Sequence, residues 1–333
     1  MESRISDPNL ISESDASLDT SLRPVSFADY SGQSDIKDAI SIMVQAAQKR
    51  KGSLDHILLY GPPGLGKTTL ARIIGSELGS DLRITSGPAL ERAGDLAAII
   101  TNLSDGDILF IDEIHRLNKL VQETLYPAME DHAIDLVVGK GPSARTIRLD
   151  LPKFTVVGAT TRIGLLNAPI RDRFGGLFRL EFYGIDDLVK IILRSASVMD
   201  IELPIDSAEA IAARSRGTPR IANRLLRRVR DYADVKNDGV ITLEEVLQTC
   251  NTLGVDEHGL DVIDQKYLHS LINNFKGGPT GVETIAASLS EDQGTIEDVV
   301  EPFLLTQGYI QKTPRGREVT QKGKDKVARW NFL

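Results

Sequence analysis

The chain has 333 residues, 41% hydrophobic and 26% charged, with a formal net charge of −8. That composition is that of a globular protein, no apolar run approaches the roughly 20 residues of a spanning helix, and the length implies two or three domains. The lone Cys250 excludes an intramolecular disulfide and fits a reducing cytoplasm.

The acidic sum argues against nucleic acid coating the whole surface, but charge distribution matters more than the total. Two segments run against it. Residues 214–230 carry seven arginines and no acidic residue, and residues 312–329 carry seven basic residues against Glu318 and Asp325.

Residues 1–20 lack the basic-then-apolar order of a secretory signal, and their polar, acidic composition predicts a flexible segment. The first strand, His56 to Tyr60, runs into Gly61-Pro62-Pro63-Gly64-Leu65-Gly66-Lys67-Thr68-Thr69, and helical spacing follows over Leu70 to Leu78. Residues 61–68 fit G-x-x-x-x-G-K-[ST] completely, after a strand and before a helix. In such a loop the glycines let backbone N–H groups converge on phosphate oxygens. Lys67 reaches the β- and γ-phosphates of ATP, and the Thr68 hydroxyl binds Mg²⁺.

A second apolar strand, Asp107 to Ile111, ends in Asp112-Glu113 and is followed by a helical pattern over Lys119 to Met129. At the carboxyl edge of a parallel sheet, Asp112 is placed to hold Mg²⁺ and Glu113 to polarise the attacking water. His115 has no second His or Cys at ligand spacing, so it reads as a polar residue packed beside the site. Ile134–Val138 and Ala144–Leu149 flank Gly139-Lys140-Gly141-Pro142 and predict a protruding hairpin. The third strand, Phe154 to Thr161, ends in Thr160-Thr161-Arg162, where a hydroxyl can detect the γ-phosphate or serve the strand alone.

Arg171-Asp172-Arg173-Phe174-Gly175 follows a turn at Pro169. Two readings of Arg173 stand: a finger into a neighbouring subunit's ATP, or a surface salt bridge with Asp172. Helical patterns then cover Asp187–Met199, Ser207–Arg216, Arg220–Val235 and Leu243–Leu253. Arg220 opens the third of these, where it can touch a γ-phosphate from a lid. Arg224, Arg227, Arg228 and Arg230 read as a solvated or subunit-facing side. From about Asp256, helices lead into a small hairpin around Thr313-Pro314-Arg315-Gly316, the order of a winged helix.

The expected fold is therefore α/β: an AAA+ P-loop NTPase with a parallel sheet covered by helices on both faces, then a small helical lid and a C-terminal winged helix. The expected divisions are 1–20, 21–184, 185–255 and 256–333.

Taken together, the motifs resemble the RuvB family of Holliday junction branch migration motors. GPPGLGKTTLA, TSGP, AGDLAA, LFIDEIHRL, LYPAMED, GATTR, RDRFG, RGTPRIANRLLRRVRD, TIEDV and TPRGR occur in order between Leu22 and Arg317. The resemblance implies that Gly64, Lys67, Thr68 and Thr69 hold the nucleotide phosphates and Mg²⁺, with Asp112 and Glu113 as Walker B. It makes Thr161 sensor 1, Arg173 the arginine finger and Arg220 sensor 2. Leu22, Arg23 and Tyr183 would line the nucleotide pocket, with Glu130, Asp131 and His132 near it. The hairpin near 134–149 would dock on RuvA, and Lys312, Arg315 and Arg317 would form the DNA-gripping wing.

It further implies a cytoplasmic homo-hexamer translocating double-stranded DNA at four-way junctions during recombination and SOS-linked repair, with RuvC acting at resolution. Lys312 stands where arginine is expected, keeping a phosphate contact without the bidentate fork. Gln293 is uncharged where some relatives are basic, and Gly175-Gly176-Leu177 predicts extra flexibility after the finger. On the sheet and lid alone, a clamp-loader-like or regulatory AAA+ ATPase remodelling a protein partner fits as well. The basic wing favours DNA and also disfavours a small-molecule P-loop kinase.

Overall fold

The structure is a computed structural model that describes residues 20–138 and 145–330. Residues 1–19 of the expected flexible segment 1–20, and the hairpin tip at Gly139–Pro142, lie outside these residues. Two compact units result, one over Arg23–Phe182 and one over Tyr183–Leu333 together with the segment ending at Leu22.

The first unit is built on a five-stranded sheet of β1 (Ile57–Tyr60), β2 (Leu82–Ser86), β3 (Ile108–Asp112), β6 (Thr155–Thr160) and β7 (Gly176–Arg179). Its order is β2-β3-β6-β1-β7, and every pairing is parallel. The three strands read from the sequence are the central ones. They are apolar because helices cover both faces of a parallel sheet, and Leu58, Leu59, Leu109, Phe110, Val156 and Val157 have no exposed surface. Each such side chain contributes about 1.5–3 kcal/mol of burial.

The two strands the apolar pattern does not reveal are the edges. No residue of β2 is fully buried, with Arg83 and Ile84 exposed, and β7 begins on a glycine. The two glycines after Arg173 are closely surrounded. A Cβ on Gly175 would lie 3.0 Å from the Asp55 Cβ, and one on Gly176 would lie 2.8 Å from the Phe178 ring. Close packing calls for glycine here. The expected hairpin is present as β4 (Ala133–Val138) and β5 (Arg145–Asp150), antiparallel from Ala133↔Asp150 to Val138↔Arg145.

In the second unit, helices Ile185–Val198, Ile205–Arg214, Pro219–Lys236 and Leu243–Thr252 form the lid. The helix Pro219–Lys236 buries Ile221, Ala222, Leu225, Leu226 and Val229. It also buries Arg224 and Arg227, at 7% and 4% exposure, which overturns the solvated-side reading for both. Arg228 and Arg230 do lie nearer the surface, each paired with Asp231 at 3.0 and 2.8 Å.

The winged helix packs Val262–Asn273, Val282–Leu289 and a helical run over 293–306 around Tyr267, Leu268, Ile285, Ile296 and Leu304. Its hairpin is β8 (Ile310–Thr313) and β9 (Gly316–Val319). A last helix, Gln321–Ala328, was not legible from its mostly polar sequence. It packs where Gly323 lets it approach Tyr309, since a Cβ there would lie 2.3 Å from the Tyr309 carbonyl oxygen.

Candidate functional site

Strand β1 delivers the glycine-rich loop. Gly61, Gly64 and Gly66 have φ of 140°, 78° and 96°, a region that L side chains avoid. A Cβ on Gly61 would lie 2.4 Å from the Leu180 carbonyl oxygen, so the first loop position admits glycine alone. Gly66 precedes the helix Lys67–Leu78, which has no side-chain cap and no acidic residue in its first turn. Its leading N–H groups and positive end are therefore offered to an anion. Lys67 is 8% exposed, and its Nζ donates to the Gly61 and Pro62 carbonyls, both at 2.8 Å. Thr68 and Thr69 follow in the first turn, half-buried.

Strand β3, two places along the sheet, ends at Asp112. Its Oδ1 accepts from the Glu113 N–H at 3.0 Å, and the chain turns at Glu113 with φ 50°. Gly87 makes room for that turn, since a Cβ there would lie 2.4 Å from the Glu113 carbonyl oxygen. The Glu113 carboxylate lies 3.5 Å from His115 Nε2. On its other side, His115 Nδ1 is 2.8 Å from Thr160 Oγ1, which also accepts from the Arg162 N–H at 3.0 Å.

Strand β6, between β1 and β3, carries Thr160 at its end, and the Thr160 carbonyl accepts from the Gly61 N–H at 3.2 Å. One sheet edge thus assembles Lys67, Asp112, Glu113 and Thr160–Thr161. The Glu113–His115–Thr160 link is a feature sequence reading missed. Its only signal was a histidine two residues after the acidic pair. Thr160 spends its hydroxyl on this link, which leaves Thr161 as the residue just past the strand's open end.

Among the described residues no group of three or more His, Cys, Asp or Glu is placed to hold a metal. The donors at this edge are hard oxygens, the Thr68 hydroxyl and the Asp112 carboxylate. That set suits Mg²⁺ completed by phosphate oxygens and water, and not a closed protein cage.

Arg173 does not pair with Asp172. Its guanidinium donates to Glu130 Oε2 at 2.7 Å and the Pro169 carbonyl at 2.6 Å, and lies 4.7 Å over the Tyr126 ring. Asp131 accepts from Arg148 of β5 at 3.1 Å, and His132 meets the Phe154 ring edge-on. Glu130, Asp131 and His132 thus belong to the neighbourhood of Arg173 and the hairpin. Arg23 is half-buried in the first unit. Leu22, Tyr183 and Arg220 belong to the second. There the Leu22 carbonyl accepts from Arg194 at 2.7 Å, and the Tyr183 N–H donates to the Gly217 carbonyl at 2.9 Å.

In the wing, Arg315 is exposed at the hairpin turn. Arg317, which the resemblance places in the DNA grip, is held by acidic neighbours. Its side chain is 13% exposed and bonds the fully buried Glu301 through Nε at 2.8 Å and Nη2 at 3.0 Å, with Glu297 at 3.1 Å. Those hydrogen bonds raise its pKa further. Lys312 lies 3.1 Å from Glu301 as well, and Tyr267 donates to it at 3.1 Å. A buried carboxylate needs such partners. It was invisible in sequence because nothing marks Glu301 as inward-facing.

Fold and site together define an AAA+ P-loop ATPase with a lid and a winged-helix domain. Family models for the Holliday junction DNA helicase RuvB P-loop domain, the RuvB AAA lid domain and the RuvB C-terminal winged helix domain match residues 22–180, 183–256 and 257–327. The solved Thermotoga maritima RuvB Holliday junction branch migration motor is 48% identical, with a TM-score of 0.84 over 92% of this chain and 98% of that one. A lysine-to-arginine variant of the same protein is 49% identical over the same shares, also with a TM-score of 0.84. The chain belongs to the RuvB family of Holliday junction branch migration motors. It is a nucleotide-binding ATPase with a DNA-binding winged helix, not a protein-remodelling relative. No helix among the described residues is long and apolar enough to cross a membrane.

Proposed function

We propose that ATP is hydrolysed at the β1–β6–β3 edge of one subunit, with the site completed by Arg173 of the next in a homo-hexameric ring. The convergence of Lys67, Asp112, Glu113 and Thr161 on adjacent strand ends supports this reading. Gly64, the N–H groups of the helix Lys67–Leu78, and Thr69 cradle the phosphates, while Lys67 neutralises the β- and γ-oxygens. Thr68 and Asp112 hold Mg²⁺, which when bound supplies charge neutralisation between the phosphates.

Glu113 orients water and accepts its proton, and His115 fixes that carboxylate relative to β6. Thr161 senses the γ-phosphate at the strand end, and Arg220 is the lid's sensor 2. Glu130, Asp131 and His132 face the neighbour's nucleotide alongside Arg173. Giving up the ion pair with Glu130, whose carboxylate is exposed, costs about 1 kcal/mol or less.

Hydrolysis drives translocation of double-stranded DNA at a four-way junction in the cytoplasm during recombination and repair. The winged helix grips phosphate through Arg315 and, in part, Lys312, while Arg317 positions the wing. The β4–β5 hairpin, with Ile147 47% exposed, docks on RuvA, and RuvC acts at resolution. The test is ATP turnover and branch migration on four-way DNA, with and without RuvA, for wild type and Lys67→Ala. Loss of both activities in Lys67→Ala is expected. Branch migration surviving without ATP turnover contradicts the reading.

A further inference from the structure

The loop that opens the helix Pro219–Lys236 carries a buried arginine that neither the ATPase chemistry nor the DNA wing uses. Arg216 is 6% exposed and has φ 53°, a left-handed backbone that a non-glycine residue keeps only when its surroundings hold it there. Its guanidinium reaches out of the lid into the winged helix. Nη2 pairs with the fully buried Asp264 in a short contact and lies 3.5 Å from Asp261, while Nε donates to the Gly259 carbonyl at 2.7 Å. The Phe303 ring lies 4.9 Å beneath it.

The two carboxylates are not incidental surface acids. Asp261 caps the helix Val262–Asn273, accepting from the Ile263 and Asp264 N–H groups at 2.9 and 3.0 Å. Asp264 accepts from the Asp261 N–H at 2.9 Å to close the capping box. Arg216 therefore grips the first turn of the first winged-helix helix. Gly259 allows the close approach, since a Cβ there would lie 2.7 Å from the Arg214 carbonyl oxygen.

The same short loop reaches the lid's nucleotide-facing residues. The Gly217 carbonyl accepts from the Tyr183 N–H at 2.9 Å, and Thr218 donates its hydroxyl to the Arg216 carbonyl at 3.3 Å. Thr218 is the residue before the helix, and Arg220 lies in that helix's first turn. Three consecutive residues, Arg216, Gly217 and Thr218, thus join Tyr183, the start of the Arg220 helix and the start of the winged helix.

We infer that Arg216 is a positioning residue that ties the Arg220 helix to the winged-helix domain, so that a movement of that helix is carried to the DNA grip. It rests on the reading of Arg220 as the lid's sensor 2. A planar guanidinium with Nη2 on buried carboxylates and Nε on a carbonyl holds one geometry, which a flexible ammonium does not reproduce.

The test uses the full chain with Arg216→Gln, Arg216→Lys and Asp264→Asn. It reads DNA affinity, ATP turnover with and without duplex DNA, and base pairs moved per ATP on four-way DNA. The expected result is DNA affinity and DNA-free turnover within about twofold of wild type. Duplex stimulation and base pairs moved per ATP should each fall by about tenfold in Arg216→Gln and Asp264→Asn, a usual size for coupling between sites. Arg216→Lys should fall between.

Folded variants whose movement per ATP stays within about twofold of wild type overturn the inference, since a real coupling lies well outside that. So does loss of the folded state in all three, which would assign the pair to stability alone. Arg220→Ala, run alongside, separates the two claims. If it hydrolyses ATP normally, the Arg220 reading fails, whatever the Arg216 variants do.

Discussion

Replacing Glu301 by alanine should destabilise the winged helix more than any change to the wing's exposed charges. The carboxylate is fully buried and accepts two bonds from Arg317, at 2.8 and 3.0 Å, and one from Tyr267 at 3.1 Å. Burial and then the neighbouring carboxylate push the Tyr267 phenol far above its ordinary range, so it stays a donor at every working pH. Alanine strands a largely buried guanidinium and a buried hydroxyl, and breaking one partner of a buried pair costs about 3–5 kcal/mol. Lys312 is half-exposed and adds little to that figure.

Against a total stability of about 5–15 kcal/mol, this is a large fraction. The assay is urea unfolding followed by Trp330, the only tryptophan, which packs on the winged-helix core. At about 1–3 kcal/mol per molar urea, the Trp330 transition should move down by at least 1 M. Glu301→Gln, which keeps an acceptor, should lose less. A Trp330 midpoint for Glu301→Ala within about 0.2 M of wild type would refute the network's role, because that shift is below about 0.6 kcal/mol.

Three other outcomes follow from the geometry. Thr160→Val removes the acceptor of the Arg162 N–H and the partner of His115 at constant volume, worth about 1–3 kcal/mol. Expressed in the transition state, that is a fall in kcat of about 5- to 150-fold with ATP affinity little changed, and an unchanged kcat sinks the His115 link. His56 accepts the Val156 N–H on Nδ1 at 2.9 Å and faces the Met129 carbonyl with Nε2 at 3.1 Å, which fixes its neutral form. Burial lowers its pKa in the fold, so its contribution is present above about 6.5, the unfolded value, and is lost as pH falls through the lower folded value. Wild type should therefore lose more stability than His56→Gln between pH 7.5 and pH 5, and parallel urea profiles would contradict this. Arg315→Ala should lower the log–log salt slope of duplex binding by about 0.9, whereas an unchanged slope removes Arg315 from the phosphate contacts.

What sequence made legible was whatever repeats a strong local rule. The glycine loop, the acidic pair after β3 and the apolar run of β6 each announce themselves, because a buried parallel strand and a phosphate cradle tolerate few alternatives. Edge strands β2 and β7 stayed hidden because one side of each meets solvent, so neither needs an apolar run. The partners of charged residues were hidden for a different reason. Arg173 chose Glu130 over its neighbour Asp172, and Arg317 chose Glu301, because pairing is settled by tertiary approach and not by adjacency. Arg224 and Arg227 show the same limit. An arginine-rich helix looked solvated until packing put two of its arginines inside.

The central claim is that each ATP site is completed by a neighbour's Arg173, and subunit mixing tests it most directly. Glu113→Gln subunits keep the finger and lose the base, while Arg173→Ala subunits keep the base and lose the finger. Each alone should bind ATP and turn it over at least about 10³-fold more slowly than wild type. Random mixing in equal amounts should restore about a quarter of wild-type hydrolysis, since in a closed ring about one site in four joins an intact base to an intact finger. A mixture no more active than its two components contradicts catalysis across the subunit boundary.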